Sequence, residues 1–171
     1  MAAEHEARPE GSDPRHDAMS VAERQTWLAL LAVTQGLVPR LDEHHKRAFG
    51  ISHLEYSTLI MLAESEDGES DLSSLARRVN SSLSRMSHAI RRLQGDGLVS
   101  LARSVKDRRA TVASLTEAGA RLLEAATPVN MTEVRRLVFE PLSDEQREQL
   151  RDISLTLLAS WRPDDPHPWV P

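Results

Sequence analysis

Residues 72–118, LSSLARRVNSSLSRMSHAIRRLQGDGLVSLARSVKDRRATVASLTEA, decide the fold. Their first part predicts two amphipathic helices on either side of the polar turn at residues 80–82, and the sequence GDG ends the second helix. Two alternating apolar segments then flank the charged tip at residues 105–109, which is typical of an antiparallel hairpin. Helix, turn, helix and hairpin together predict a winged helix-turn-helix.

The second helix of this segment has two chemically different sides. At about 100° per residue, one side is apolar and is expected to pack inward through Leu83, Met86, Ile90 and Leu93. The opposite side is polar and consists of Ser81, Ser84, Arg85, His88 and Arg92. Short hydroxyls and a forked arginine suit phosphates and guanine edges in a major groove. A solvated polar face is the alternative, but the preceding helix and the hairpin favour DNA reading.

The hairpin tip carries a second candidate contact. Asp107 can accept hydrogen bonds that hold the turn, which leaves Arg108 or Arg109 to reach the minor groove or the backbone. A merely soluble turn is the alternative interpretation.

Charge is distributed unevenly along the chain. The whole sequence carries a net charge of −5, but residues 72–113 hold nine Arg and Lys against two Asp, a local net charge of +7. A basic segment in an acidic chain is expected of a surface that meets phosphates.

The rest of the chain divides around this segment. We expect a tail without periodicity over 1–18, a helix over 19–48, the winged domain over 49–118, helices over 119–162 and an irregular Pro-rich tail over 163–171. Helix starts are predicted at the capping boxes of Ser20, Ser52 and Ser143 and at the caps Asp71 and Thr116. Residues 65–70 are expected to be a polar loop. Prolines predict a kink or break near Gly36 in the first helix and a bend at Pro128.

Composition excludes several classes of protein. The 171 residues include no cysteine, which removes disulfides, thiolate metal sites and cysteine redox switches. No apolar stretch approaches the roughly 18 residues that span a bilayer, so we expect a soluble, cytoplasmic protein without a membrane partner.

The outer helices carry more apolar surface than the winged core needs. An isologous homodimer would bury this surface, and its two reading helices would meet a pseudo-palindromic duplex.

The sequence resembles the MarR family of transcriptional regulators. The likeness covers roughly residues 20–160 and is most specific in DRRATVASLTEAG, residues 107–119, after LARRVNSSLSRMSHAIRRLQGDGLV. It implies a mainly α protein with a small β-hairpin wing (α+β), a winged helix-turn-helix with N- and C-terminal dimerisation helices, which binds operator DNA and often represses transcription. The family pattern, with the basic residues beside it, marks as DNA-binding Ser81, Ser82, Ser84, Arg85, His88, Arg91, Arg92, Arg103, Lys106, Asp107, Arg108 and Arg109. After residue 99 the chain has Ser100 and Leu101 where the family usually has basic residues.

The resemblance also implies a small anionic or phenolic effector in many members, held between the dimerisation helices and the winged domain. Aromatic and switchable side chains on those helices form the candidate pocket, and core packing is the alternative: Trp27, His44, His45, Tyr56 and Met61. A metal at Glu43, His44, His45 and His53 is disfavoured because adjacent helical histidines diverge by about 100°. No cofactor is implied, and no catalytic motif points to an enzyme.

Two classes of function follow from these patterns. The first is a ligand-responsive transcription factor that binds specific duplex DNA. The second is a winged helix that serves protein association or nonspecific nucleoid binding without an effector.

Overall fold

The computed structural model describes residues 19–65, 68–103 and 111–161. Their elements follow one another as α1 (Val21–Phe49), α2 (His53–Ala63), β1 (Glu69–Asp71), α3 (Leu72–Arg78), α4 (Leu83–Gly95), β2 (Val99–Arg103), β3 (Thr111–Leu115), α5 (Glu117–Val134), a π-helical turn (Arg135–Phe139) and α6 (Asp144–Trp161). Contacts divide the chain into two units, residues 1–37 and 38–171. None of the helices within the described ranges has the length and apolar character needed to cross a membrane.

In the first unit, the described residues 19–37 belong almost entirely to α1. The helix begins at a capping box, in which the Ser20 amide donates to Glu23 Oε2 at 2.7 Å and Ser20 Oγ accepts from the Glu23 amide at 3.2 Å. The helix then continues through Pro39 to Phe49, so of the kink or break predicted near Gly36 the break is absent. Proline removes one backbone donor, and the hydrogen bonds of the neighbouring turns are enough to continue the helix.

The second unit holds the hydrophobic core. Helices α2, α3 and α4 and the sheet contribute its fully buried side chains, among them Leu59, Leu62, Leu75, Ile90 and Leu93. Burial of such apolar side chains is the main stabilising contribution, about 1.5–3 kcal/mol for each.

One apolar residue of α4 does not pack as predicted. Leu83 is 51% exposed, whereas Met86, Ile90 and Leu93 are buried as expected. Leu83 is the first residue of α4, and the helix meets the core only from Met86 onward. The small side chain of Ala89 completes the buried face instead.

Local capping sets the boundaries of the helix-turn-helix. Asp71 Oδ1 accepts from the amides of Ser73 and Ser74 at 2.9 and 3.0 Å, which starts α3. The turn between α3 and α4 passes through Asn80 at φ +51°, a left-handed conformation that Asn tolerates better than most residues. At the end of α4, Gly97 lies at φ +73° and the Leu98 amide donates to Leu93 O at 2.9 Å, the pattern of a Schellman cap.

The wing is a three-stranded antiparallel sheet with strand order β1-β3-β2. β2 and β3 form the predicted hairpin, with Val99 opposite Leu115 and Arg103 opposite Thr111. The prediction of a polar loop over residues 65–70 is wrong at its end, because Glu69 and Ser70 pair with Ser114 and Ala113 of β3. Three polar residues form this strand because the free edge of β3 offers hydrogen-bond partners to their backbone. Their polar side chains gave no sign of this pairing in the sequence.

The C-terminal helices depart from the predicted pattern in one place. α5 starts at the predicted cap Thr116 and continues through Pro128, and the bonding then lengthens to a π-helical turn in which the Glu140 amide donates to Arg135 O at 2.9 Å. α6 begins at the predicted capping box of Ser143 and Gln146. No residue of α6 is buried within the single chain.

Candidate nucleic-acid interface

Helix α4 presents a polar, cationic side to solvent. Arg85, His88 and Arg91 are exposed, as are the short side chains Ser82 and Ser84, while the opposite side of the helix is buried. The cations therefore lie on a helix whose opposite side is anchored in the core beneath it. Such an arrangement presents charge to a phosphate backbone without local loss of helical structure.

The N-terminal end of α4 is organised by serines. Ser82 is the N-cap, and its Oγ accepts from the Arg85 amide at 3.3 Å. Its hydroxyl proton remains available to an acceptor such as a phosphate oxygen. Ser81 is half-buried in the turn, where its amide donates to Ala76 O at 2.8 Å. Both serines thus lie next to Arg85 at the end of the helix that enters a major groove in helix-turn-helix proteins.

Two of the predicted DNA contacts are bound to the protein itself. Arg91 Nε donates to Ser87 O, one turn earlier on its own helix, at 3.1 Å. Arg92 is 54% exposed, but its Nη2 donates to Gly50 O at 2.9 Å and its Nε lies 3.5 Å from Glu55 Oε1. Arg91 keeps donors for another partner, whereas the Arg92 guanidinium joins α4 to the loop between α1 and α2.

The wing contributes a further basic residue within the described part of the chain. Arg103 is exposed at the last position of β2, opposite Thr111. The predicted tip residues Lys106, Asp107, Arg108 and Arg109 lie outside the described residues. Arg103 is the last described residue before them.

The candidate ligand residues occupy different environments. His45 and Met61 are fully buried and Tyr56 is 3% exposed, whereas Trp27, in the first unit, is 49% exposed. The His45 ring stacks on Tyr56 with centroids 4.4 Å apart and on His53 at 5.3 Å. Half-buried His44 contacts His45 edge to face at 5.7 Å. Of the predicted ligand residues, the structure therefore brings His44, His45 and Tyr56 together in one aromatic cluster. His53 also belongs to this cluster, although the predicted ligand set did not include it.

Burial changes the acid–base behaviour of this cluster. Burial lowers the pKa of His45 and of His53, because the charged imidazolium loses hydration. The same effect raises the pKa of the Tyr56 phenol. His45 Nε2 lies 2.8 Å from Asn130 Oδ1, an acceptor, so this nitrogen donates. His45 Nδ1 has no hydrogen-bond partner among the described residues, which further disfavours a second proton.

An open cleft of about 700 Å³ adjoins the cluster and the start of α4. His53 lines it, together with Lys46 of α1 and Arg85 of α4. Lys46 Nζ is paired with Asp42 Oδ2 at 2.7 Å. The cleft has apolar walls and cationic groups, and Arg85 belongs both to its lining and to the exposed side of α4.

Three residues of this region were not found from sequence. Asn130 and Glu55 make buried polar contacts, and Arg78 donates to Met61 O at 3.0 Å, which ties α3 to the end of α2. Glu55 was recognised only as the third residue of a capping box. Asn130 lies in an amphipathic helix pattern where a single polar residue carries no signal of its partner 85 positions away.

A helix-turn-helix with a β-hairpin wing and an exposed cationic second helix defines a winged helix-turn-helix DNA-binding protein. The sequence model of the MarR family matches residues 51–111. The chain is similar to AbsC, a MarR family transcriptional regulator from Streptomyces coelicolor, at 30% identity, with 86% of this chain and 99% of AbsC covered and a TM-score of 0.76. The chain therefore belongs to the MarR family of transcriptional regulators and is not an enzyme.

Other solved structures have the same fold. Sco3205, a MarR family transcriptional regulator from Streptomyces coelicolor solved in complex with DNA, is 29% identical, with 86% of this chain and 93% of that chain covered and a TM-score of 0.79. The transcriptional regulator BldR from Sulfolobus solfataricus is 22% identical, with 81% and 98% covered and a TM-score of 0.69. No curated protein matches the chain.

Proposed function

We propose that the chain acts in the cytoplasm as a homodimeric repressor that binds a pseudo-palindromic operator through α4 and the wing. The single observation that carries this proposal is the exposed cationic side of α4 opposite a fully buried side, within a helix-turn-helix. The similar protein Sco3205 was solved in complex with DNA. Contacts to DNA come from the predicted residues Ser81, Ser82, Ser84, Arg85, His88, Arg91, Arg103, Lys106, Asp107, Arg108 and Arg109.

Uncovered apolar side chains support the dimer. α6 has no buried residue in the single chain, and Ile153 and Trp161 are 58% and 68% exposed. In the first unit, Leu28 and Val33 of α1 are 51% and 62% exposed. Apolar surface of this extent on helices outside the winged core marks an interaction site, and a two-fold dimer buries the same patch on both subunits. Sedimentation at micromolar concentration should give twice the 19.1 kDa chain mass, and a monomer would contradict the dimer.

Site selection from a random duplex pool tests the proposed operator. We expect two-fold symmetric sites with half-sites one helical turn apart, about 10–10.5 bp. Arg85→Ala should lower the affinity for the selected operator by about 1–3 kcal/mol and relax the preference at one position. Arg109→Ala should weaken all sequences more evenly. Arg121→Ala removes an exposed charge from α5, where it pairs with Glu117, and serves as the control with little effect.

The competing function is protein association or nonspecific nucleoid binding. Equal losses on random and selected DNA in Arg85→Ala, or selection without a symmetric consensus, would favour it. Repression itself is measured with a reporter gene downstream of the selected operator, where expression should fall when the protein is present.

Release by a small aromatic or anionic ligand is the regulatory part of the proposal. The cleft of about 700 Å³ has the size of small-molecule sites and combines apolar walls with Lys46 and Arg85. A carboxylate that binds Arg85 competes with DNA for the same guanidinium. His53 is the member of the aromatic cluster that reaches this cleft, and it stacks on His45, one of the predicted ligand residues.

Benzoate is a suitable probe of that cleft. Calorimetry should detect binding to the wild type and a loss of binding in His53→Ala, and millimolar benzoate should weaken the wild-type protein–operator complex. Arg121→Ala should bind benzoate as the wild type does. Absence of binding together with unchanged operator affinity would remove the ligand from the proposal but leave DNA binding intact.

A further inference from the structure

Arg92 fastens α4 to the corner where α1 ends and α2 begins. Its Nη2 donates to the carbonyl oxygen of Gly50 at 2.9 Å, and its Nε lies 3.5 Å from Glu55 Oε1. Gly50 follows the last residue of α1 and has φ +73°, while Glu55 lies in the first turn of α2. One guanidinium therefore joins three helices at a single point.

Glu55 is a buried carboxylate that contacts both Arg92 and the start of α2. Its side chain is only 4% exposed, and its Oε2 accepts from the Ser52 amide at 2.6 Å in the capping box of α2. The carboxylate is thus divided between the start of α2 and Arg92. A buried carboxylate needs its partners, because the loss of one leaves charge without compensation in a poorly hydrated place.

The position of Arg92 on α4 explains what the contact controls. Arg85, His88 and Arg92 are spaced by three and four residues, so they lie along one side of the helix. Arg92 is about 10 Å along the axis from Arg85, at about 1.5 Å per residue. The apolar side of α4 restrains its distance from the core, whereas the hydrogen bond to Gly50 and the ion pair with Glu55 at one edge restrain its rotation.

We propose that Arg92 is a positioning residue for DNA recognition and not a phosphate contact: through Gly50 and Glu55 it sets the rotation of α4, and thereby the direction in which Arg85 meets the DNA. The inference rests on the proposed function, since it assumes that Arg85 reads an operator. It differs from the prediction from sequence, in which Arg92 belongs to the DNA-contacting set.

A double-mutant cycle tests the assignment. The variants are Arg92→Met, Glu55→Gln and their combination, and Glu55→Gln keeps an oxygen that can accept from the Ser52 amide. Affinities for the selected operator and for scrambled duplex are measured by fluorescence anisotropy at several salt concentrations. All measurements are made where circular dichroism shows each variant to be fully folded.

If Arg92 acts through Glu55, Arg92→Met should weaken operator binding about tenfold and leave scrambled DNA nearly unaffected. The same substitution in the Glu55→Gln background should then cost less than it does in the wild type, because both changes remove the Arg92–Glu55 ion pair and only Arg92→Met also removes the bond to Gly50. The slope of log affinity against log salt should equal that of the wild type. A phosphate contact predicts instead additive losses on both duplexes and a slope reduced by about 0.9.

Arg91→Met is the matched control, since it removes the same charge one residue earlier on α4. It is expected to weaken operator and scrambled duplex alike. Arg92→Lys gives a second test that survives if Arg92→Met fails to fold. Lysine retains the charge but lacks the planar guanidinium that contacts both Gly50 and Glu55, so it should lose operator preference as Arg92→Met does. Wild-type preference in Arg92→Lys would overturn the inference.

The outcomes separate this inference from the proposed function. If the wild type does not prefer the operator, or if Arg85→Ala has no effect on that preference, the proposed function fails. If both behave as proposed but the Arg92 and Glu55 effects add and the salt slope falls, only the positioning role is wrong.

Discussion

His45 and Asn130, 85 residues apart in the sequence, form a buried hydrogen bond in which Nε2 lies 2.8 Å from Oδ1. His45 belongs to α1 and Asn130 to α5, and both side chains lie in the second unit. Asn130 is 6% exposed and His45 is fully buried. The bond therefore joins the C-terminal half of α1 to α5 at a place that water does not reach, and its loss leaves a buried donor without a partner.

Asn130→Ala should destabilise the protein by about 1–3 kcal/mol, the cost of leaving the buried His45 N–H unsatisfied. Urea unfolding at fixed protein concentration measures the change. Glu124→Ala replaces an exposed residue of the same helix and should change the free energy of unfolding by less than about 0.5 kcal/mol. Equal effects of the two substitutions would show that the hydrogen bond contributes little.

Stability should fall as the pH is lowered through the ordinary range of histidine. Burial lowers the pKa of His45 and His53 in the folded state, so below about pH 6.5 the unfolded chain binds more protons than the folded one. Their contribution is complete above the unfolded pKa and is lost as pH falls through the folded pKa. Asp42 opposes this shift for both rings, and His44 adds to it for His45.

Urea midpoints at pH 7.5 and pH 5.5 measure this effect. The wild type should be less stable at pH 5.5, and the difference should shrink in the variant that carries both His45→Gln and His53→Gln. Glutamine at position 45 retains an amide donor for Asn130. The double variant therefore lacks the two titrating imidazoles but keeps most of the packing and hydrogen bonding around them. An undiminished pH dependence in the double variant would assign the effect to other groups.

Helix boundaries were predictable because their signals are local. The capping boxes of Ser20, Ser52 and Ser143 connect residues three positions apart, so the sequence contains both partners of each bond. The faces of α4 follow from helical periodicity in the same way, and only the terminal Leu83 deviates. The predicted boundaries of the domains, which depend on how the subunits assemble, stay predictions.

Contacts between distant segments were not predictable. β1 forms because the edge of β3 is free, and nothing in its three polar residues indicates that edge. From its charge and its position on α4, Arg92 looks like a DNA contact in the sequence. Its bond to the protein is visible only in the structure, because its partner Gly50 lies 42 residues earlier. The aromatic cluster was predicted in part because His44 and His45 are adjacent, but the addition of His53 depends on how α2 packs against α1.

The cap of α3 gives a third prediction. Asp71→Ala should destabilise the protein by about 0.5–2 kcal/mol, because the amides of Ser73 and Ser74 lose their acceptor at the start of a seven-residue helix. Asp71→Asn should retain most of the stability at pH 7, since asparagine caps nearly as well as aspartate. Thermal unfolding distinguishes the two variants. If they are equally destabilised, the backbone bonds are not the important contribution of Asp71.

The last prediction compares two glycines that lie in helices. A Cβ on Gly119 of α5 would lie 2.7 Å from Leu115 Cδ1 and closer still to the backbone oxygen of Leu98, so Gly119→Ala should force the start of α5 away from the wing. Overpacking of this kind costs about 1–3 kcal/mol, which exceeds the gain of about 1 kcal/mol in helix propensity. A Cβ on Gly95 of α4 meets no atom within 4 Å, so Gly95→Ala should stabilise the protein by about 0.4–1 kcal/mol. Urea unfolding of both variants should therefore give changes of opposite sign, and a stabilised Gly119→Ala variant would mean that α5 does not approach Leu98 so closely.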